Sequence, residues 1–179
     1  MNLLRRLAVT TVLALGAFLS FSVHAEILTG RIVGISDGDT VTLLDGNQRQ
    51  YKIRLTGIDA PEKKMPFGQR SKEHLSDLVF SKDVQVETEK LDRYGRTLGK
   101  ILLDRNDINL AMINAGLAWH YKKYQKEQSR SDRLLYAHAE EQARQQRIGL
   151  WRDPSPTPPW EWRKGGRTND DLAAVALTR

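Results

Sequence analysis

The sequence predicts an α+β fold, a small five-stranded β-barrel with three flanking helices. Three observations predict it. Glu26 to about Leu103 reads mostly as short strands, and one helix-period segment interrupts them between the third strand and the fourth. Beyond residue 103 the chain turns helical.

The first strand covers residues 29–35, β-branched and apolar but broken by Gly30 and Gly34, which predict a coiled or bulged course. Val41, Thr42, Leu43 and Leu44 make the second. Asp45-Gly46-Asn47 then supplies hairpin-turn residues that tolerate positive φ. In the third strand Tyr51, Ile53 and Leu55 alternate with Lys52, Arg54 and Thr56. Ile53 and Leu55 are thus expected toward the core and Arg54 on the opposite face. The period changes over residues 67–80, where Ser71, Leu75, Leu78 and Val79 mark one face of a helix. Val84 and Val86 carry a fourth strand, and residues 97–103 a fifth, entered from a turn at Tyr94-Gly95. Helices follow over residues 108–114, closed by Gly116, and over roughly residues 131–147, closed by Gly149. Three strands, a helix, two strands and then helices is the order of an OB-type barrel, whose face and loops commonly bind nucleic acid.

At 179 residues and 40% hydrophobic, the chain has material for one domain with a proper core. Its first segment is set apart. Arg5 and Arg6 precede an apolar stretch over residues 7–21, and Val23-His24-Ala25 has the small residues of an A-x-A-like cleavage site. That is the layout of a secretory signal peptide, with removal expected after Ala25. A retained membrane anchor would need a longer span without the Thr and Ser found here. The expected organisation is a signal peptide at 1–25, a folded domain at 26–152, and a Pro-rich then flexible tail at 153–179. The expected location is export, periplasmic or secreted, with no stable membrane association after removal of the leader. Losing Arg5 and Arg6 lowers the formal charge of +6 by two and leaves a basic protein, which favours polyanionic partners. The absence of cysteine excludes disulfides, thiol chemistry and cysteine-ligated zinc.

Three mixed clusters carry the chemistry: Asp37-Gly38-Asp39-Thr40, then Arg54 leading into Asp59-Ala60-Pro61-Glu62, then Asp92-Arg93-Tyr94-Gly95-Arg96. Carboxylates bind hard divalent cations through oxygen, and arginines grip phosphate through planar, paired hydrogen bonds. Together they are the parts needed to hold a phosphodiester against a metal ion and hydrolyse it. Each cluster also has a plainer reading. Asp37 and Asp39 suit an Asx turn, Arg54 a solvated strand face, Arg96 a turn ion pair with Asp92, and Glu62-Lys63-Lys64 a charged loop. Arg93, Tyr94, Tyr121 and Tyr124, near Lys122 and Lys123, are candidate substrate contacts, because bases stack on aromatic rings while cations neutralise phosphate. Trp119, Trp151, Trp160 and Trp162 read as structural. His74, His120 and His138 show no spacing suited to metal binding or nucleophilic work.

The order of these clusters, followed by Asn114-Ala115-Gly116-Leu117-Ala118, resembles the thermonuclease (staphylococcal or micrococcal nuclease-like) family from about Leu28 to Trp151. The resemblance implies an OB-fold, calcium-dependent phosphodiesterase acting on DNA and RNA with little sequence selectivity. It implies metal ligation by Asp39, Asp59 and the backbone carbonyl of Ala60, and a grip on the scissile phosphate by Arg54 and Arg96. Glu62 would orient or deprotonate the attacking water, and the products would carry 3′-phosphates. Two departures stand out. Ala60 replaces a threonine of the family's type member, and the segment between Glu62 and Gly68 is shorter than that member's loop. The competing expectation is a catalytically silent OB module that only binds nucleic acid. A monomer is the default expectation.

Overall fold

The computed structural model describes residues 26–165; the expected leader and the end of the tail lie outside them. The chain runs β1 (Glu26–Asp37), β2 (Thr40–Leu44), β3 (Gln50–Leu55), a short β4 (Ile58–Asp59) and α1 (Gly68–Val79). It continues through β5 (Asp83–Leu91), β6 (Thr97–Leu103), β7 (Asn106–Asp107), α2 (Ile108–Asn114) and β8 (Trp119–His120). A 3-10 turn (Lys122–Tyr124), α3 (Arg130–Gln145) and a second 3-10 turn (Gly149–Arg152) follow, and residues 159–165 are helical.

Strands β3, β2, β1, β5 and β6 lie in that order, and a parallel β3–β6 pairing closes them into the expected five-stranded barrel. The long β1 makes this possible because it serves two neighbours. Its first half pairs with β5 from Glu26↔Thr88 to Arg31↔Asp83, while Arg31↔Leu44 to Asp37↔Thr40 pair with β2. Register breaks between Ile32 and Gly34 and between Ile35 and Asp37 bend the strand, as bulges do. Inside, Ile32, Val41, Leu43, Ile53, Val86 and Ile101 are fully buried, covered by Leu75 and Val79 of α1 and by Met112 and Ile113 of α2. Each such side chain stabilises the fold by about 1.5–3 kcal/mol relative to an exposed one.

The β2–β3 turn differs in detail from expectation. Asp45 accepts hydrogen bonds from the N–H groups of Asn47 and Arg49, so the turn widens and the positive φ falls on Gln48. Buried polar links tie the helices to the barrel. Asn109 of α2 accepts from Ile101 N–H and donates to the Thr56 carbonyl, while Ser71 of α1 donates to the Leu117 carbonyl. A second apolar cluster joins Trp119, Ala143, Leu150 and Trp151. Trp160 packs against it from beyond the proline run, so the packed structure extends into a region expected to be tail. Pro158 and Pro159 explain why. Proline is well placed at the start of a helix, where its missing N–H costs nothing, and the N–H groups of Glu161 and Trp162 both bond the Pro158 carbonyl.

Candidate active site

Asp39 sits at the turn from β1 to β2, whose tight course depends on Gly38. A Cβ at Gly38 would lie 1.9 Å from Ser71 Oγ and 2.9 Å from Ala60 Cβ, so only glycine lets the turn press against α1 and the Ala60 segment. Asp37 closes the turn by accepting from Asp39 N–H, the plainer Asx role foreseen for it. The cross-strand pair Thr40↔Arg54 then sets Asp39 beside Arg54. Asp59 arrives from β4, which is held by pairing with Trp119 of β8.

These three side chains meet. Nη2 of Arg54 lies 2.9 Å from Asp59 Oδ1 and 3.0 Å from Asp39 Oδ2, so both carboxylates converge on one cationic point. Nη1 of Arg54 donates to the Leu55 and Ile58 carbonyls, and Ala60 N–H donates to Asp39 Oδ2 at 2.7 Å. Arg54 does face away from the core residues Ile53 and Leu55, but it is not solvated: its side chain is only 12% exposed and bridges the aspartates.

Burial dominates the electrostatics. Asp39 is 5% exposed and Asp59 fully buried. Desolvation pushes both pKa values above the ordinary carboxylate range, although Arg54 pulls down on both. Two buried carboxylates held this close together supply oxygen donors of the kind a hard divalent cation takes, filling its remaining positions with water and substrate oxygens. Among the described residues no group of three or more His, Cys, Asp or Glu side chains is gathered for metal binding.

Glu62 borders the pair, held by a compact segment in which Met65 N–H bonds the Glu62 carbonyl and Gly68 N–H bonds the Met65 carbonyl. Its Oε1 accepts from Arg163 Nη1 at 2.6 Å, and Arg163 Nη2 lies 2.6 Å from Asp59 Oδ2. Sequence reading missed Arg163. It lies more than a hundred positions from Glu62, and the helix-starting prolines before it were the one available clue.

Arg96 begins the approach to β6 one residue before the Thr97↔Ile53 pair, alongside the strand that carries Arg54. Its guanidinium is paired with Asp92, whose Oδ1 also accepts from the N–H groups of Tyr94 and Arg96, the turn ion pair foreseen as its plainer role. Tyr94 is 69% exposed, with Arg93 and Arg96 packed over its ring. Tyr121 and Tyr124 meet edge to face, and Trp160 stacks on Tyr121. Trp119 and Trp151 are buried and structural, whereas Trp162 is exposed. His120 is buried, its Nε2 bonded to Gln128, and plays no part at the aspartate pair.

Residues 52–153 match the family model described as staphylococcal nuclease homologue. The chain is 42% identical over 165 residues to a Haemophilus influenzae protein described as an uncharacterized endonuclease, covering 92% of this chain and 89% of that one. It is 40% identical over 147 residues to a micrococcal nuclease of Shigella flexneri, covering 77% and 82%. It is also 37% identical over 153 residues to the protein ParB of Escherichia coli, covering 80% and 84%.

Proposed function

The chain belongs to the staphylococcal nuclease homologue family, and from that premise we propose that it is an exported, calcium-dependent nuclease cutting DNA and RNA with low sequence selectivity. The observation that carries the reading is the convergence of buried Asp39 and Asp59 on one cationic point.

Asp39, Asp59 and the Ala60 carbonyl are the proposed metal ligands. Calcium, when bound, would polarise a phosphoryl oxygen and template the attacking water. Arg54 and Arg96 would bind the phosphodiester and hold the added negative charge of the five-coordinate transition state more tightly than the ground state. Arginine suits this better than lysine because its fork matches two phosphate oxygens and stays protonated. Glu62 would orient the water and accept its proton, with orientation the larger part, since an ordinary carboxylate is a weak base. Water would add to phosphorus as it gives a proton to Glu62, the bond to the 5′ oxygen would break with that oxygen taking a proton from solvent, and a 3′-phosphate would remain. Arg93, Tyr94, Tyr121 and Tyr124 would contact neighbouring nucleotides. The protein is expected to act as a monomer.

The test is cleavage of labelled single-stranded and duplex DNA and of RNA across a calcium titration, with product ends analysed. Calcium-stimulated cutting, lost on chelation and giving 3′-phosphates, supports the reading. Binding without cutting would instead identify a silent nucleic-acid-binding module. Export is checked separately by sequencing the N-terminus of the mature protein, expected at Glu26.

A further inference from the structure

The C-terminal helix, residues 159–165, puts two side chains where ligands of this site are expected. Arg163 lays its guanidinium across Asp59 and Glu62, with Nη2 2.6 Å from Asp59 Oδ2, Nη1 2.6 Å from Glu62 Oε1, and Nη1 3.3 Å from Asp59 Oδ1. One helical turn earlier, the Trp160 ring lies nearly parallel to Tyr121, with centroids 5.5 Å apart and planes 21° apart. A cation on carboxylates and a flat ring on a tyrosine imitate, respectively, a metal ion and a nucleobase.

We propose that this helix is an intramolecular plug: Arg163 stands in for the cation at Asp59 and Glu62, Trp160 stands in for a base on Tyr121, and metal and nucleic acid bind fully only when the helix lifts. The proposal rests on the metal-site reading of Asp39 and Asp59 given above. Occupancy is exclusive on simple grounds. Both Asp59 oxygens already have guanidinium partners, Oδ1 from Arg54 and Arg163 and Oδ2 from Arg163. A calcium ion taking Asp59 Oδ2, the oxygen on which Arg163 and not Arg54 sits, needs it at about 2.3–2.6 Å and would repel a guanidinium held equally close to that oxygen. The stack on Tyr121 likewise leaves that ring face closed to a base.

The contacts that hold the helix include the two carboxylates, the Tyr121 stack, an edge contact of Trp160 with Trp119 and the packing of Trp160 against the cluster of Trp119, Leu150 and Trp151. The Arg163 side chain remains 35% exposed and Trp162 points into solvent. A seven-residue helix whose Glu161, Trp162 and Lys164 face solvent can open locally without global unfolding. Linkage then makes the effect reciprocal, so that whatever the helix costs calcium, calcium costs the helix.

The experiment titrates calcium calorimetrically into the full chain, Arg163→Ala and Trp160→Ala, and measures amide exchange over residues 159–165 with and without calcium. Both variants are expected to bind calcium at least about fivefold more tightly than the parent, and calcium is expected to reduce exchange protection of the helix in the parent. Trp160→Ala is the decisive variant because it leaves the charge unchanged, and the exchange measurement needs no variant at all. Affinity gained in Arg163→Ala alone, with the helix still protected, would reduce the effect to charge repulsion and overturn the plug. Equal calcium affinity in all three proteins would overturn it while leaving the metal site standing. Failure of all three to bind calcium would remove the metal site and the plug together.

Discussion

Arg54 and Arg96 carry the same charge, but the fold holds them by different means, and substitution should separate the two. Arg54 serves two carboxylates and two main-chain carbonyls from a nearly enclosed position, a geometry no lysine reproduces. Arg54→Lys is expected to lower the cleavage rate by about two to three orders of magnitude and, by stripping donors from buried acceptors, to cost about 1–3 kcal/mol of stability. Arg96 is more exposed, paired with Asp92 and packed over the Tyr94 ring, so Arg96→Lys should lose a comparable rate while shifting stability by less than about 0.5 kcal/mol. Rates and urea midpoints measured on the same preparations check this, and full activity in Arg96→Lys would remove it from the phosphate grip. His120 gives a pH prediction. Burial lowers its pKa, only partly opposed by the hydrogen bond to Gln128 and the nearby Glu140 carboxylate, and Nδ1 has no hydrogen-bond partner. The neutral form is favoured in the fold, so its stabilisation is complete above the unfolded value of about 6.5 and is lost as pH falls below it. Measured against His120→Phe, a comparison that cancels the opposite contribution of the buried aspartates, the parent's midpoint should therefore fall between about pH 7 and about pH 5. At this scale the ordered clusters singled out Asp39, Arg54 and Asp59, and the structure brings the three together, but their burial was not legible because no local pattern shows it. Arg163 was not singled out, since nothing local to it reveals a contact with Asp59.

Among elements, the ends of α2 and α3 interlock through two glycines. Gly116 and Gly149 both adopt positive φ, and Leu150 N–H bonds the Gly116 carbonyl at 2.8 Å. A Cβ at Gly149 would sit 2.2 Å from that same carbonyl oxygen, so a side chain meets backbone as well as left-handed strain. Gly149→Ala is expected to cost more than about 2 kcal/mol and to disturb the near-ultraviolet circular dichroism of the Trp119–Trp151 cluster. Gly46→Ala, with nothing near the added methyl, should change neither, and equal behaviour of the two variants would refute the clasp. Both glycines were readable from sequence as helix ends, but not as partners. The same division runs through the fold. β6 and α2 fall on the residues expected from periodicity, and α1 within a residue at each end, because each buries one regular face. β1 begins earlier than expected since Glu26, Ile27 and Leu28 are ordered by pairing with β5, a partner some sixty positions away. β4 and β8, two residues each, are too short to show any period, yet they deliver Asp59 to the site.

For the molecule as a whole, the basic excess has a measurable consequence that the site geometry alone does not supply. A formal charge of +6 over the full chain, with Arg93, Arg96 and Lys123 gathered around Tyr94 and Tyr124, attracts a polyanion before any residue is specifically engaged. Each phosphate neutralised releases condensed counterions, so affinity for single strands should fall with log salt at a slope of about −0.7 per contact. Three or four contacts give a slope of about −2 to −3, carried by KM, while kcat at saturating substrate changes little because Asp39, Arg54 and Asp59 are largely buried. Arg93→Ala removes an exposed cation that takes no part in the Asp39–Asp59 cluster. It should make the slope shallower by about 0.7, leaving kcat and thermal stability near the parent values. The measurement is a series of KM determinations on one labelled single strand between low and moderate salt at fixed calcium. A KM indifferent to salt would mean that the charge serves solubility or another partner, and that substrate is captured by the site's own few hydrogen bonds.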